Sequence, residues 1–168
     1  MKPSRSQLHW LSTDDKYHVV ISRHAFRLMV RMAQSHCPNE TGSSLIGRYA
    51  NDGYTAFVLD VAPVPDDSKS TPVSFIRGTA GMREFFQSLT RRFQRKRYYI
   101  GEWHSHPHAD TISSGTDRST HAQIASDLTL QCSEVIMIIV GGDFLNSVAV
   151  GVSVQSRDRG RVVLTPAK

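Results

Sequence analysis

Cysteine is scarce in this chain. Cys37 and Cys132 are the 2 present, they lie far apart, and they form no CxxC pair. That excludes a disulfide-stapled scaffold and a four-cysteine zinc knuckle, and it points to a reducing, cytoplasmic setting. Long apolar runs are also lacking. The longest, Val135 to Val140, falls far short of the roughly 20 residues needed to cross a bilayer, so no membrane association is expected. Met1-Lys2-Pro3-Ser4-Arg5 has no apolar stretch behind it, and no secretory signal is expected. Repeats, low-complexity tracts and interdomain linkers are missing as well. A chain of 168 residues then reads as one domain over 1–168, with its core at about 17–154.

What charge there is gathers in one place. The net balance is +5, and five of the basic residues fall within Arg91-Arg92-Phe93-Gln94-Arg95-Lys96-Arg97. The plainer reading is the solvated C-terminal end of a helix, where cations complement the dipole. The sharper one is a patch for nucleic acid or an acidic protein partner. No aromatic stacking pattern accompanies the charges, so the plainer reading is preferred and nucleic acid is not expected as a partner.

Hydrophobic periodicity gives a coarse layout. Tyr17 to Ile21 reads as a strand, and Ser22 caps a helix to about Cys37 with Phe26, Met29, Val30 and Ala33 on one face. A hairpin follows: Ser43 to Tyr49, the turn Asn51-Asp52-Gly53, then Tyr54 to Val61. Pro63 to Pro72 reads as a proline-rich mobile loop, placed to clamp an extended peptide by adding a strand. A short strand spans Val73 to Ile76, and a helix reaches from about Gly81 to Arg97 with Phe85, Phe86, Leu89 and Phe93 toward the core. Tyr98 to His106 is a strand and Ser114 to about Leu128 a helix. Val135 to Val140, Phe144 to Val154 and Arg161 to Leu164 are the remaining strands. The whole is an α/β (α+β) arrangement, a mixed sheet flanked by three helices.

The chemistry concentrates in Trp103-His104-Ser105-His106-Pro107 and Ser114-Gly115-Thr116-Asp117. Residues two apart on a strand share a face, so His104 and His106 can offer both imidazoles to one ion. Pro107 is expected to break the strand and turn the chain away. Asp117 falls in the first turn of a helix, where the dipole favours a carboxylate. Two imidazoles and one carboxylate suit zinc (Zn2+) and leave a fourth position for water, the mark of a catalytic site. Such chemistry needs a carboxylate to carry the water's proton. Glu40 and Glu102 are the candidates, and strand parity with the histidines makes Glu102 the nearer by spacing. Ser114 is either an N-cap or a donor to an oxyanion, and the two roles are compatible. His108 and Asp110, in the loop beside the metal ligands, are candidates for substrate contact. His121, four after Asp117 on the same helical face, lines the cleft in one reading, but a solvated histidine or one supporting the ligands from behind is preferred. Cys37 approaches the site in one reading, but a buried structural thiol is preferred.

At these residues the chain resembles the JAMM/MPN⁺ (JAB1/MPN/Mov34) zinc metallopeptidases. Their signature is an upstream glutamate, then His-x-His-Pro, six residues, Ser, two residues, Asp. Here His104-Ser105-His106-Pro107, the six residues His108 to Ser113, Ser114 and Asp117 fit every spacing. The family's Glu-Thr-Gly-Gly-x-Leu-x-Gly context appears as Glu40-Thr41-Gly42-Ser43-Ser44-Leu45-Ile46-Gly47, with serine at the second glycine. The resemblance favours Glu40 over Glu102. It implies a JAB/MPN core shaped like the cytidine deaminases, zinc on His104, His106 and Asp117, Glu40 as general base and acid, and Ser114 supporting the oxyanion. It implies hydrolysis of an isopeptide or peptide bond after the C-terminus of a ubiquitin-like-conjugated protein. The compact length resembles bacterial stand-alone members in CBASS antiphage operons. There the substrate is a conjugated cGAS/DncV-like nucleotidyltransferase, and ubiquitin-conjugating-like enzymes are partners. A RadC-like nucleic-acid-associated protein and a peptidase processing a small sulfur-carrier protein are the alternatives.

Overall fold

The computed structural model describes residues 7–94, 96–130 and 132–167. The reading of Met1 to Arg5, and Arg95 of the basic stretch, lie outside them. The first described element is a strand the sequence reading lacks, β1 (Gln7–Leu11), followed by β2 (His18–Ser22) and α1 (Arg23–His36). The Ser22 hydroxyl accepts the Ala25 N–H at 3.1 Å, capping α1 as its residue type predicts. The hairpin forms as β3 (Gly42–Tyr49) and β4 (Thr55–Val61), with Asp52 accepting the Tyr54 and Thr55 N–H groups in the turn.

The proline-rich segment is not simply a loop. It contains β5 (Lys69–Thr71), which pairs antiparallel with β6 (Ser74–Ile76) through a turn at Pro72 and Val73. Helix α2 (Met82–Phe93) stops short of Arg97 because Gln94 takes a left-handed φ of 49°. Then come β7 (Tyr98–Pro107), α3 (Gly115–Ser126), β8 (Glu134–Gly142), β9 (Ala149–Ser156) and β10 (Gly160–Pro166). Two sequence expectations fail around β7 and β8. Pro107 stays in β7, in register with Gly142, and the turn comes at His108, whose φ is 58°. Phe144 does not begin a strand, because Asp143 accepts the Leu145, Asn146 and Ser147 N–H groups and forms a turn there.

The main sheet closes on itself in the order β1-β10-β9-β8-β7-β3-β4-β2. Its β2–β4 and β7–β8 pairs are parallel and the other pairs antiparallel. Helix α1 lays Ala25, Met29 and Ala33 into the principal core with Leu45, Trp103 and Ile138. Helix α2 covers Ile46 and Ala62 through Met82 and Leu89, and α3 packs Ala125 against Val135 and Cys132.

One irregularity sets up the site. Between β3 and β7 the register jumps from Leu45↔Gly101 to Ile46↔Tyr99, leaving Ile100 as an extra residue on β7. Ile100 and Trp103 therefore both enter the principal core, which strict alternation forbids. Gly101 absorbs the distortion at φ 151°, where an added Cβ would lie 2.0 Å from the Ile136 carbonyl oxygen. Beyond the bulge, Trp103 points into the core, and His104 and His106 point out of it.

Candidate metal centre and active site

Three elements bring the polar groups together. His104 and His106 come from the end of β7, Asp117 from the first turn of α3, and Glu40 from the segment just before β3. The Nε2 atoms of His104 and His106 are 3.0 Å apart. Asp117 Oδ1 is 3.5 Å from His104 Nε2, and Asp117 Oδ2 is 3.7 Å from His106 Nε2. Tetrahedral zinc with ligands at 2.0–2.1 Å separates neighbouring ligand atoms by roughly 3.3 Å, so this donor set has the spacing and chemistry to hold such an ion. His106 Nδ1 lies 3.0 Å from the Asp110 carbonyl oxygen. With the proton on Nδ1 that contact fixes the tautomer and leaves Nε2 as the free donor.

Asp117 is held by a capping box. Ser114 Oγ accepts the Asp117 N–H at 3.1 Å, and Asp117 Oδ2 accepts the Ser114 N–H at 2.7 Å. Burial alone would raise the Asp117 carboxyl, but hydrogen bonds with His104 and His106 overcome it and hold the group far below the ordinary carboxylate range. The His106 imidazole is pushed upward, first by its bond with Asp117, against the opposing effect of burial.

Glu40 Oε1 is 4.0 Å from His106 Nε2, and burial raises its carboxyl above the usual range against the pull of both imidazoles. Its backbone is fixed from two sides. The Glu40 N–H donates to the Thr71 carbonyl at 2.8 Å, and the Ser70 hydroxyl donates to the Glu40 carbonyl. Next to it, Thr41 and Ser105 exchange bonds: the Thr41 N–H reaches Ser105 Oγ at 2.9 Å, and the Ser105 N–H reaches the Thr41 carbonyl at 2.7 Å. Ser105, between the two histidines, thus pins the glutamate segment to the histidine strand from the opposite face. Gly42 sits opposite His104 in the ladder, and a Cβ there would lie 2.2 Å from the Trp103 carbonyl oxygen. Only glycine permits that approach. Serine at the motif's second glycine has its own place, because Ser43 Oγ accepts the Trp103 indole N–H at 2.9 Å and donates to the Ala62 carbonyl at 2.7 Å.

Glu102 shares the face of the histidines, as parity requires, but its carboxylate is engaged. Arg77 Nε lies 3.0 Å from one oxygen and the Ser44 hydroxyl 3.2 Å from the other. Beside it, between β6, β7 and α3, a cavity of about 400 Å³ runs past Phe75, Ile76, Trp103 and Met137 to His104 and Asp117. His108 is exposed and does not line that cavity; its Nε2 lies 3.6 Å from the exposed Cys37 thiol, so Cys37 is not the buried residue its type suggests. The Asp110 carboxylate accepts the Ile112 N–H at 2.9 Å. His121 is fully buried away from solvent with Nε2 2.8 Å from the Val135 carbonyl, and burial lowers its pKa to about 4.

Ser105, Ser70, Arg77 and the Asp110 carbonyl escaped the sequence reading. Only Ser105 had a signal, its place between two residues of the opposite face; the others act through backbone groups or long-range pairing.

Fold and site together define the JAB/MPN class. Residues 22–156 match the family described as prokaryotic homologs of the JAB domain, and the chain belongs to that family. A curated protein named CD-NTase/cGAS isopeptidase, from Enterobacter hormaechei subsp. hoffmannii (strain UCI 50), is 38% identical over 141 residues, covering 84% of this chain and 77% of that protein. The solution structure of protein DSY2949 from Desulfitobacterium hafniense shares the fold, with a TM-score of 0.57 at 18% identity over 88% of each chain.

Proposed function

We propose that this protein is a zinc-dependent isopeptidase that hydrolyses the bond after the C-terminus of a ubiquitin-like-conjugated protein. The conjugated protein is a cGAS-like nucleotidyltransferase of bacterial antiphage defence. The observation that carries the reading is the approach of Glu40 to within 4.0 Å of a His-His-Asp donor set drawn from two other elements. The name of the 38% identical relative supports the substrate class.

His104, His106 and Asp117 hold the zinc in this reading. Bound zinc supplies Lewis acidity that makes water nucleophilic near neutral pH. Glu40 Oε1 takes the water's proton and delivers it to the leaving amine; its raised proton affinity, caused by burial, suits both halves of that transfer. The Ser114 hydroxyl, with a lone pair occupied by the Asp117 N–H, keeps its proton free to donate to the carbonyl oxygen. The 400 Å³ cavity receives the acyl side of the substrate. Among the described residues β6 pairs with β5 along one edge and with no strand along the other, which can add the substrate tail as a strand. Val73 and Ile76 on that hairpin are 86% and 63% exposed, an apolar rim suited to a protein substrate.

The test is cleavage of a nucleotidyltransferase conjugate by purified, zinc-loaded protein. Cleavage that stops on chelation, returns with added zinc and is lost in Glu40→Gln upholds the reading. Cleavage by Glu40→Gln at the wild-type rate, or none by the wild type, overturns it.

A further inference from the structure

Strand β7 carries His104 and His106 at one end, and a different chemistry gathers at its other end. Arg48 near the end of β3, Arg92 in the last turn of α2, and Lys96 and Arg97 in the connection to β7 converge on one concavity of about 780 Å³. Among the described residues no carboxylate lies within 4.0 Å of any of these four cations. Three of them rest on aromatic rings instead. The Arg97 and Arg92 guanidinium carbons are 4.2 Å and 5.2 Å from the Phe93 ring centre, and that of Arg48 is 4.6 Å from the Phe57 ring centre. Such stacking holds a guanidinium in place while leaving its N–H fork free, the geometry that takes a carboxylate in bidentate fashion.

We propose that this concavity is a docking site for an acidic surface segment of the folded protein substrate, a second point of contact remote from the bond that is cut. The identity of that partner rests on the function proposed above; the acidic-peptide chemistry of the site does not. From Tyr98 to His106 the strand rises about 3.3 Å per residue, which puts the concavity roughly 25 Å from the metal ligands. A short tail lying in the cleft does not reach that far, and the body of a folded conjugate does. Two observations favour carboxylates over nucleic acid. The cations converge on one cup and do not form a track along a phosphate backbone. The Phe93 ring is already occupied by guanidinium groups, so it is not free to stack a base. The Tyr98 hydroxyl is likewise engaged, accepting the Tyr49 N–H at 2.8 Å.

The experiment is fluorescence anisotropy on the intact, zinc-loaded protein with a fluorescein-labelled deca-glutamate peptide, and in parallel with a labelled single-stranded DNA of matched charge. The peptide is expected to bind at low salt and to weaken about tenfold or more in the Arg92→Glu/Arg97→Glu double variant. Arg48→Glu, on a different element, is expected to weaken it by several-fold, with zinc content and circular dichroism unchanged in both variants. Peptide binding that is indifferent to both variants overturns the proposal. So does DNA binding that is tighter than peptide binding and is lost on the same substitutions. Because the readout is binding, a protein that cleaves no conjugate can still pass or fail this test.

Discussion

Glu40, just before β3, and Glu102, on its partner β7, are each 8% exposed, and burial raises the proton affinity of both. Their surroundings differ. Around Glu102 the protein closes a shell, with Arg77 at 3.0 Å and the Ser44 hydroxyl at 3.2 Å. Around Glu40 it fixes the backbone, through Thr71 and Ser70, and leaves the carboxylate facing His106 at 4.0 Å. A buried carboxylate with its hydrogen bonds completed is a structural brace. One whose main chain is clamped and whose oxygens remain available is equipped to move protons. Parity and spacing favour Glu102, and burial treats the two alike; the partners separate them the other way.

The sharpest way to break that contrast is Glu40→Gln. Peptidase turnover should fall by about 10³-fold or more, with zinc content by mass spectrometry and thermal stability close to wild type. Equal loss of stability would make Glu40 a brace as well.

The next largest effect concerns His121, a buried ionisable group with a carbonyl partner and, among the described residues, no carboxylate paired with it. Its folded pKa of about 4 lies below the ordinary value of 6.5. The unfolded chain therefore takes up the proton first as pH falls, and stability drains away between pH 6.5 and 4. The loss is about 3 kcal/mol at most. Urea midpoints of wild type and His121→Gln, measured across that range, should differ in slope, the variant being flatter.

Removing the brace comes third. Arg77→Ala strips the partner from Glu102 and should cost about 2 kcal/mol, below the usual range for buried pairs because Arg77 is 29% exposed. Arg77→Ala/Glu102→Gln should recover much of it in denaturant titrations. Turnover per folded molecule should change far less than in Glu40→Gln. The smallest effect is Ser43→Ala. It removes the acceptor for the Trp103 indole N–H and should lower stability by about 1 kcal/mol, with the rate of cleavage unchanged.

Much of the candidate site's geometry was legible because its polar side chains fall at short, regular spacings. The His104-x-His106 alternation, the capping position of Ser114 and the first-turn place of Asp117 follow from local geometry. The approach of Glu40 does not follow from spacing. It depends on the β3–β7 register and was read from family resemblance. The fold was legible where hydrophobic periodicity is strong, as in α1 and β8. It failed where the deciding contact is distant or made by backbone. β1 exists by pairing with β2 and β10, β5 by pairing with β6, and the turn at Phe144 by the Asp143 oxygens. The bulge at Ile100 is invisible to alternation because it is the place where alternation stops.

Gly42 ties these threads together. With the Trp103 carbonyl oxygen 2.2 Å from where a side chain would begin, the gap between the glutamate segment and the histidine strand is closed to anything bulkier than hydrogen. One methyl group there would act as a wedge, levering the Glu40 carboxylate away from the His104 and His106 imidazoles without deleting any atom of the three. The spacing of the candidate site is therefore gauged by a missing carbon as strictly as by the four side chains gathered there.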